Sequence, residues 1–367
     1  MKTSRLGGVA AIALVGALAL ASCSSNTPSG GASTPAVDLG SLKGTIAAGG
    51  SSAQGNAQAA WISAFNGSGA SGVTINYDKS QGSGGGVTNF LGGSYDFAGS
   101  DSPLTADETT QAATSPCGTD GAINLPIYLD GVAIIYNVSG VTKLNLTGAT
   151  LAKIFNLKIT DWSDPAITAD NGGTALPAGK ITTVARSDGS GTTKNFTNFL
   201  AGTAATDWPY PADKNWPVKG NVSKQQGGSG VVNAVKAGAG TIGYADHSAI
   251  GDLAFASVNG VTFSADAVGK SLTDGAVDAS NGVAGDLSKK FDYAKLTAST
   301  DAYPIPLISY AILCNSFKDA AQAKLVKAYL GFVASSTGQA VAVKNAGSAP
   351  LPDSIQSAVL TSLKSVK

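Results

Sequence analysis

Two rhythms of apolar residues alternate along the chain. Val73, Ile75 and Tyr77 recur at every second position, the period of a strand with one face turned inward. Ala53, Ala57, Ala60, Trp61, Ala64 and Phe65 recur three and four apart, which predicts a helix opening near Ser52. The apolar run 42–48 before it reads as a strand. Gln81-Gly82-Ser83-Gly84-Gly85-Gly86 leads into Val87, Phe90 and Leu91, again at helical spacing, and a further strand is predicted at 95–99. Thr105 and Glu108 then stand three apart, as in a capping box. The order βαβαβ predicts a largely parallel sheet with helices on both faces.

The later chain repeats this theme. Residues 127–138 are apolar enough for a buried strand, 151–155 suggest a short helix, and 181–186 form another strand. Ser187-Asp188-Gly189-Ser190-Gly191-Thr192-Thr193 interrupts it, and Phe196, Phe199 and Leu200 follow at helical spacing, so 190–193 open a helix. A strand at 305–313 and an amphipathic helix at 320–333 are predicted near the end.

Composition narrows the chemistry. With 24 basic and 24 acidic residues among 367, the chain has no net charge, which argues against a charge-steered nucleic-acid binder. Hydrophobic residues make up 43% and charged ones 13%, enough for the cores of two lobes of ordinary domain size. The 47 glycines have no collagen-like period and fall where apolar runs begin or end. His247 is the one histidine and Glu108 the one glutamate. A zincin motif, a two-histidine metal site and a glutamate pair for glycoside hydrolysis cannot be assembled from them. Neither a metal nor a cofactor is expected.

Lys2 and Arg5 precede an apolar stretch, 7–21, that suits a secretory signal and is short for a membrane span. It ends in Leu20-Ala21-Ser22-Cys23, which resembles the lipobox of bacterial lipoproteins. On that resemblance residues 1–22 are a signal peptide and Cys23 is the lipidated first residue, with palmitate among its acyl chains. The protein is then extracytoplasmic, held to the cell membrane by the lipid anchor alone. Residues 23–40 are polar and without periodicity, a flexible tether. Removing residues 1–22 leaves 22 basic against 24 acidic residues and makes Arg186 the only arginine. Cys117 and Cys314 either pair as a disulfide, as an exported chain permits, or stay as two buried thiols.

Three Gly/Ser clusters, Gly49-Gly50-Ser51-Ser52 and those at 81–86 and 187–193, thus sit between a strand and a helix. Such a place offers unpaired backbone N–H groups, the positive end of a helix dipole and hydroxyl donors, a natural cradle for a small oxyanion. Ser and Gly also favour helix starts for structural reasons alone, so each cluster by itself reads equally as a cap. Arg186 beside one of them adds a planar fork suited to phosphate or carboxylate, and Asp188, two residues on along the same strand face, is placed to orient it.

Two other anion chemistries leave partial traces in the chain. Val268-Gly269-Lys270-Ser271 ends like a nucleotide P-loop, but Ser264 stands where its first glycine should be. Ser190 in Gly189-Ser190-Gly191 could serve a secreted phosphoester or acyl hydrolase, yet it lacks the full G-x-S-x-G nucleophile elbow and His247 lacks a supporting pattern.

Gly82-Ser83-Gly84-Gly85-Gly86-Val87, Phe97-Ala98-Gly99-Ser100-Asp101-Ser102-Pro103-Leu104 and Arg186-Ser187-Asp188-Gly189-Ser190-Gly191-Thr192 resemble three ligand segments of the phosphate-binding lipoproteins that serve high-affinity phosphate ABC transporters. Lys158-Ile159-Thr160-Asp161-Trp162-Ser163-Asp164-Pro165, Gly240-Thr241-Ile242-Gly243-Tyr244 and Pro350-Leu351-Pro352-Asp353-Ser354 extend the resemblance over nearly the whole mature chain. It implies an α/β, two-lobed periplasmic-binding-protein fold of type II-like form, with a mixed, mainly parallel sheet in each lobe and the ligand cleft between them. Residues 41–128 and 304–367 would form the first domain, and 129–303 the second. Ser52, Ala53, Ser83, Asp101, Arg186, Ser190, Gly191 and Thr192 would contact inorganic phosphate, with Asp188 holding Arg186. Many relatives place an aromatic residue where Ala53 stands and proline where Gln54 stands, so the apolar cover over the ligand differs here. The resemblance also implies a monomer that is not an enzyme and that hands phosphate to permease subunits. Asp101 would select phosphate over sulfate, because phosphate keeps a proton that a carboxylate can accept.

Overall fold

The computed structural model describes residues Asp38–Lys367, a single compact unit. The signal segment, Cys23 and most of the tether lie outside the described residues. Along the chain come β1 (Gly44–Gly50), α1 (Gly55–Gly67), β2 (Val73–Asp78), α2 (Gly82–Leu91), β3 (Phe97–Ser100), α3 (Ala106–Thr114) and β4 (Ala122–Asn137). The middle holds β5 (Asn145–Leu146), α4 (Gly148–Phe155), α5 (Pro165–Asp170), β6 (Thr182–Arg186), α6 (Gly191–Thr203), β7 (Ser223–Gln225), α7 (Gly227–Ala237), β8 (Thr241–Asp246) and β9 (Ser257–Val258). Then follow α8 (Ala265–Gly275), β10 (Ala276–Asp278), β11 (Lys289–Phe291), α9 (Tyr293–Ala298), β12 (Pro306–Cys314), α10 (Ala320–Ala334), α11 (Ser336–Ala346) and α12 (Asp353–Ser365). The P-loop-like Val268 to Ser271 sits inside α8, where no phosphate loop can form.

Eight strands make one sheet in the order β2-β1-β3-β12-β4-β8-β6-β7. The outer pairs are parallel, as the βαβ order predicts, but β3–β12, β12–β4 and β4–β8 are antiparallel. The sheet is therefore mixed rather than largely parallel. The difference lies in β4 and β12, whose partners are remote in sequence and carry no local signature. Every residue of β12 is buried and nearly every one of β4, which is why both read as unbroken apolar runs rather than alternating ones.

β4 changes partner midway. Residues 122–131 pair with β12, and Val132 to Asn137 pair with β8. Gly131 stands at the change, where a β-carbon would come within 2.9 Å of the Phe263 and Tyr303 rings. One half of the sheet thus carries β1–β3, and the other carries β6–β8. The C-terminal helices return to the first half, α11 against α1 and α10 against β1.

Cys117, after α3, is joined by a disulfide to Cys314 at the end of β12, 197 positions away. A bridge across so long a segment restrains the unfolded chain, so Cys117→Ser with Cys314→Ser should lower the unfolding free energy by about 2–4 kcal/mol. Urea unfolding of both forms measures this; an unchanged midpoint would show that the bridge adds nothing.

Candidate anion-binding site

Each candidate side chain sits where a strand hands over to a helix. β1 ends into Ser51, Ser52 and Ala53; α2 opens with Gly82 and Ser83; Asp101 follows β3; Arg186 ends β6; and Ser190 caps α6, its Oγ accepting from the Thr193 N–H at 3.1 Å. The first-turn N–H groups of α2 and α6 have no helical acceptors and so converge on this place with the positive ends of two dipoles.

Asp101, 3% exposed, is the hub. Its Oδ1 accepts from the Ser51 hydroxyl and, at 2.6 Å, from the Ser309 hydroxyl. Its Oδ2 accepts from Thr192 Oγ1 at 3.2 Å and more distantly from Ser83 Oγ at 3.4 Å. Asn195 Nδ2 donates to the Asp101 carbonyl at 2.6 Å. A buried carboxylate ringed by hydroxyls keeps its charge solvated without a salt bridge.

Arg186, 2% exposed, lays its fork on Asp188: Nε donates to Oδ1 at 2.7 Å, and Nη2 donates to Oδ2. Burial opposes the guanidinium charge, but the hydrogen bonds and charge of Asp188 outweigh it and raise the Arg186 pKa. Burial likewise pushes Asp188 up, and the hydrogen bonds and charge of Arg186 pull it below the usual range. The Gly227 N–H also donates to Asp188 Oδ1 at 3.0 Å. Tyr244 OH accepts from the Arg186 N–H at 3.2 Å and shares a bond with Thr193 Oγ1, fixing the end of β6 against α6.

Glycines let the two halves touch. The Gly84 N–H donates to the Gly189 carbonyl at 2.8 Å, and a β-carbon on Gly191 would lie 2.7 Å from both Asp101 Cβ and Ser83 Oγ. Beside them Glu108 completes the α3 capping box with Thr105 and pairs with Lys214 at 2.8 Å. The Lys214 carbonyl in turn accepts from the Ser190 N–H at 2.8 Å. Burial pushes Glu108 up, but the charge of Lys214 brings it below its ordinary value.

The structure therefore brings Ser83, Asp101, Gly191 and Thr192 together, with Arg186 and Asp188 facing Gly82, where a β-carbon would lie 3.3 Å from Nη2. The Ala53 N–H, by contrast, donates to Ser51 Oγ at 3.1 Å, and Ser52 Oγ accepts from the Gly228 N–H at 3.3 Å. Gln54 is buried and donates to Ser309 Oγ at 2.7 Å and to the Tyr310 carbonyl at 2.9 Å. Sequence reasoning missed Ser51, Ser309 and Asn195. Ser309 left a trace as a lone hydroxyl in an apolar strand, and Asn195 as the residue one helical turn after Gly191.

His247 stands apart from this chemistry. Its ring stacks on Phe263 with centroids 3.6 Å apart, and burial pushes its pKa down to about 4. No group of three potential metal ligands occurs among the described residues.

A second pair of carboxyls, Asp130 and Asp246, lies where β4 meets β8. The Ser248 N–H donates to Asp130 at 3.0 Å, while Ser248 Oγ donates to Asp246 Oδ2 at 2.7 Å. Asp130 also accepts from Tyr128 OH and the Gly131 N–H, whereas Asp246 Oδ1 has no partner. Burial, then the charge of Asp246, raises Asp130; burial lifts Asp246 to about 6, with Asp101 adding to the rise and Ser248 and Arg186 opposing it. A carboxyl with a raised folded pKa penalises folding once ionised, so stability falls as the pH rises from about 4 through about 6, by roughly 3 kcal/mol for Asp246. Asp246→Asn should therefore be more stable than the parent at pH 8 and lose that advantage near pH 4. Denaturant unfolding at both pH values measures it; an equal difference at the two would remove the titration account.

A family model described as a PBP superfamily domain matches residues 33–337. Phosphate-binding protein PstS 3 of Mycobacterium tuberculosis is 36% identical over 381 residues, with both chains covered in full. PstS 3 of Mycobacterium leprae is also 36% identical, over 385 residues and the whole of both chains. The chain belongs to the PstS family of phosphate-binding proteins. Among solved structures, a phosphate-binding protein from Stenotrophomonas maltophilia superposes with a TM-score of 0.66 at 21% identity, over 87% of this chain and 93% of that one. A high-affinity periplasmic phosphate-binding protein, PfluDING, reaches 0.69 at 24% identity with the same coverage, so the fold is shared.

Proposed function

We propose that this protein is an extracytoplasmic solute receptor that captures inorganic phosphate at the Asp101–Arg186 site and delivers it to the permease of an ABC transporter. The observation that carries this reading is the pairing of one buried guanidinium with one buried carboxylate ringed by hydroxyls. The guanidinium and the helix N-termini supply donors for phosphate oxygens, and Asp101 supplies the acceptor that only a protonated oxyanion satisfies. Ser52, Ala53, Ser83, Arg186, Ser190, Gly191 and Thr192 are the proposed contacts, with Asp188 orienting Arg186. For Ser52 and Ala53 this requires release of their present bonds to Gly228 and Ser51.

The proposed division, residues 41–128 with 304–367 against 129–303, places both crossings beside the partner change in β4 and the start of β12. Closure of such lobes would bury the ligand and offer the permease a liganded form. Lipid attachment at Cys23 and a monomeric state complete the reading. Among the described residues no helix is long and apolar enough to cross a membrane.

The hydrolase alternative gains little. Ser190 Oγ is engaged as a helix cap, and His247 is stacked on Phe263 and set edge-on to Phe255. Isothermal titration of the anion-stripped protein tests the receptor reading. At micromolar anion, one phosphate per chain, no response to sulfate and no turnover of a chromogenic phosphoester are expected; turnover that depends on Ser190 would overturn it.

A further inference from the structure

Asp101 also borders a cavity of about 170 Å³ that Arg186 does not line. Its walls come from Ser102 and Pro103, from Lys194, Asn195 and Asn198 of α6, from β11, and from Ile308 and Tyr310, which flank the Ser309 that bonds Asp101. Asp101 and Asn195 are shared with the site above; Ser83, Arg186, Ser190, Gly191 and Thr192 do not line it.

The lining is rich in donors and poor in acceptors. Ser102 is 6% exposed, and its Oγ has no hydrogen-bond partner. A buried hydroxyl without a partner is costly unless something completes it. Lys194, half-buried, has no carboxylate within ion-pair distance among the described residues, and burial, with Lys214 nearby, lowers its pKa despite Glu108 and Asp213. Lys290 is likewise unpaired, and Lys289 is held by the exposed Asp278. Ser51, Ser309, Ser83 and Thr192, the four hydroxyls that the Asp101 carboxylate accepts, all lie outside this lining, so its acceptors are engaged on the side of the first site rather than here.

We propose that this cavity is a second anion site, which takes one small tetrahedral oxyanion and, unlike the Asp101–Arg186 site, does not distinguish sulfate from phosphate. Lys194 and Ser102 are its central donors, with Lys290 at the rim. Its partly exposed lysines set the affinity in the millimolar range, weakened further by salt.

Equilibrium dialysis of the whole protein against labelled sulfate, with the first site filled by excess phosphate at micromolar level, reads this site alone. One sulfate per chain is expected, displaced by millimolar phosphate. Lys194→Gln should weaken it about tenfold and Ser102→Ala about threefold, as for the loss of one charged and one neutral hydrogen bond. Lys224→Gln, on an exposed lysine elsewhere, should leave it unchanged. Absence of saturable sulfate uptake in the parent overturns the proposal. So does uptake unaltered by both cavity variants, or lowered equally by Lys224→Gln. Because Lys194 and Ser102 belong to the cavity and not to the first site, the two cavity variants assign the sulfate to this place whether or not the first site binds phosphate.

Discussion

Arg186→Gln is expected to weaken phosphate binding by about three orders of magnitude. Truncating one member of a buried, hydrogen-bonded charge pair costs about 2–5 kcal/mol, and here the truncation also strips the site of its positive charge. Nε and one N–H of Nη2 are committed to Asp188, which leaves the second Nη2 N–H and both of Nη1 for the anion. Without the guanidinium, Asp188 would stand beside the ligand as an uncompensated negative charge. Arg186→Lys keeps the charge but not the fork, and should remain at least about tenfold weaker than the parent. Adding Asp188→Asn to Arg186→Gln removes the stranded carboxylate. That double variant should regain thermal stability without regaining affinity, which separates ligand contact from folding. Isothermal titration with thermal unfolding of all three variants decides the matter; near-parental affinity in Arg186→Gln would refute the assignment.

Asp101→Asn should collapse the preference for phosphate over sulfate by roughly a thousandfold. An amide offers an N–H where the carboxylate offered only lone pairs, so a fully deprotonated oxyanion meets a donor instead of a repelling charge. Phosphate affinity should fall less, because phosphate loses one bond and keeps the rest. The long contacts from Ser83 and Thr192 mark Oδ2 as the oxygen best able to turn toward a ligand proton, while Oδ1 stays bound by Ser51 and Ser309. Competition of sulfate against phosphate for the variant and the parent reads the ratio directly, and an unchanged ratio would sink this explanation.

Local signals were the legible ones. The periodicity of β2, the Thr105–Glu108 capping box and the Ser190 cap all rest on residues within one turn of each other, and all appear in the fold. The first helix was expected near Ser52 and begins at Gly55, because Ser51 Oγ accepts from the N–H groups of Ala53 and Gln54 and holds those residues in a turn. Across the site, legibility depended on reach in sequence. Arg186 and Asp188 are two apart and pair as their spacing suggests. The bond from Ser309 to Asp101 spans 208 positions and depends on β12 entering the sheet beside β3, which no local pattern announces. Asp130 and Asp246 were invisible for the same reason, being brought together by the partner change in β4.

The contact of Gly84 with Gly189 joins the two halves through peptide groups alone. A peptide bond has no charge to screen and no proton to lose near neutrality. Brine would therefore loosen the Glu108–Lys214 pair beside it while leaving this join intact. The join would be vulnerable chiefly to a side chain at a glycine, since a β-carbon on Gly84 would lie 3.0 Å from the Gly189 carbonyl oxygen.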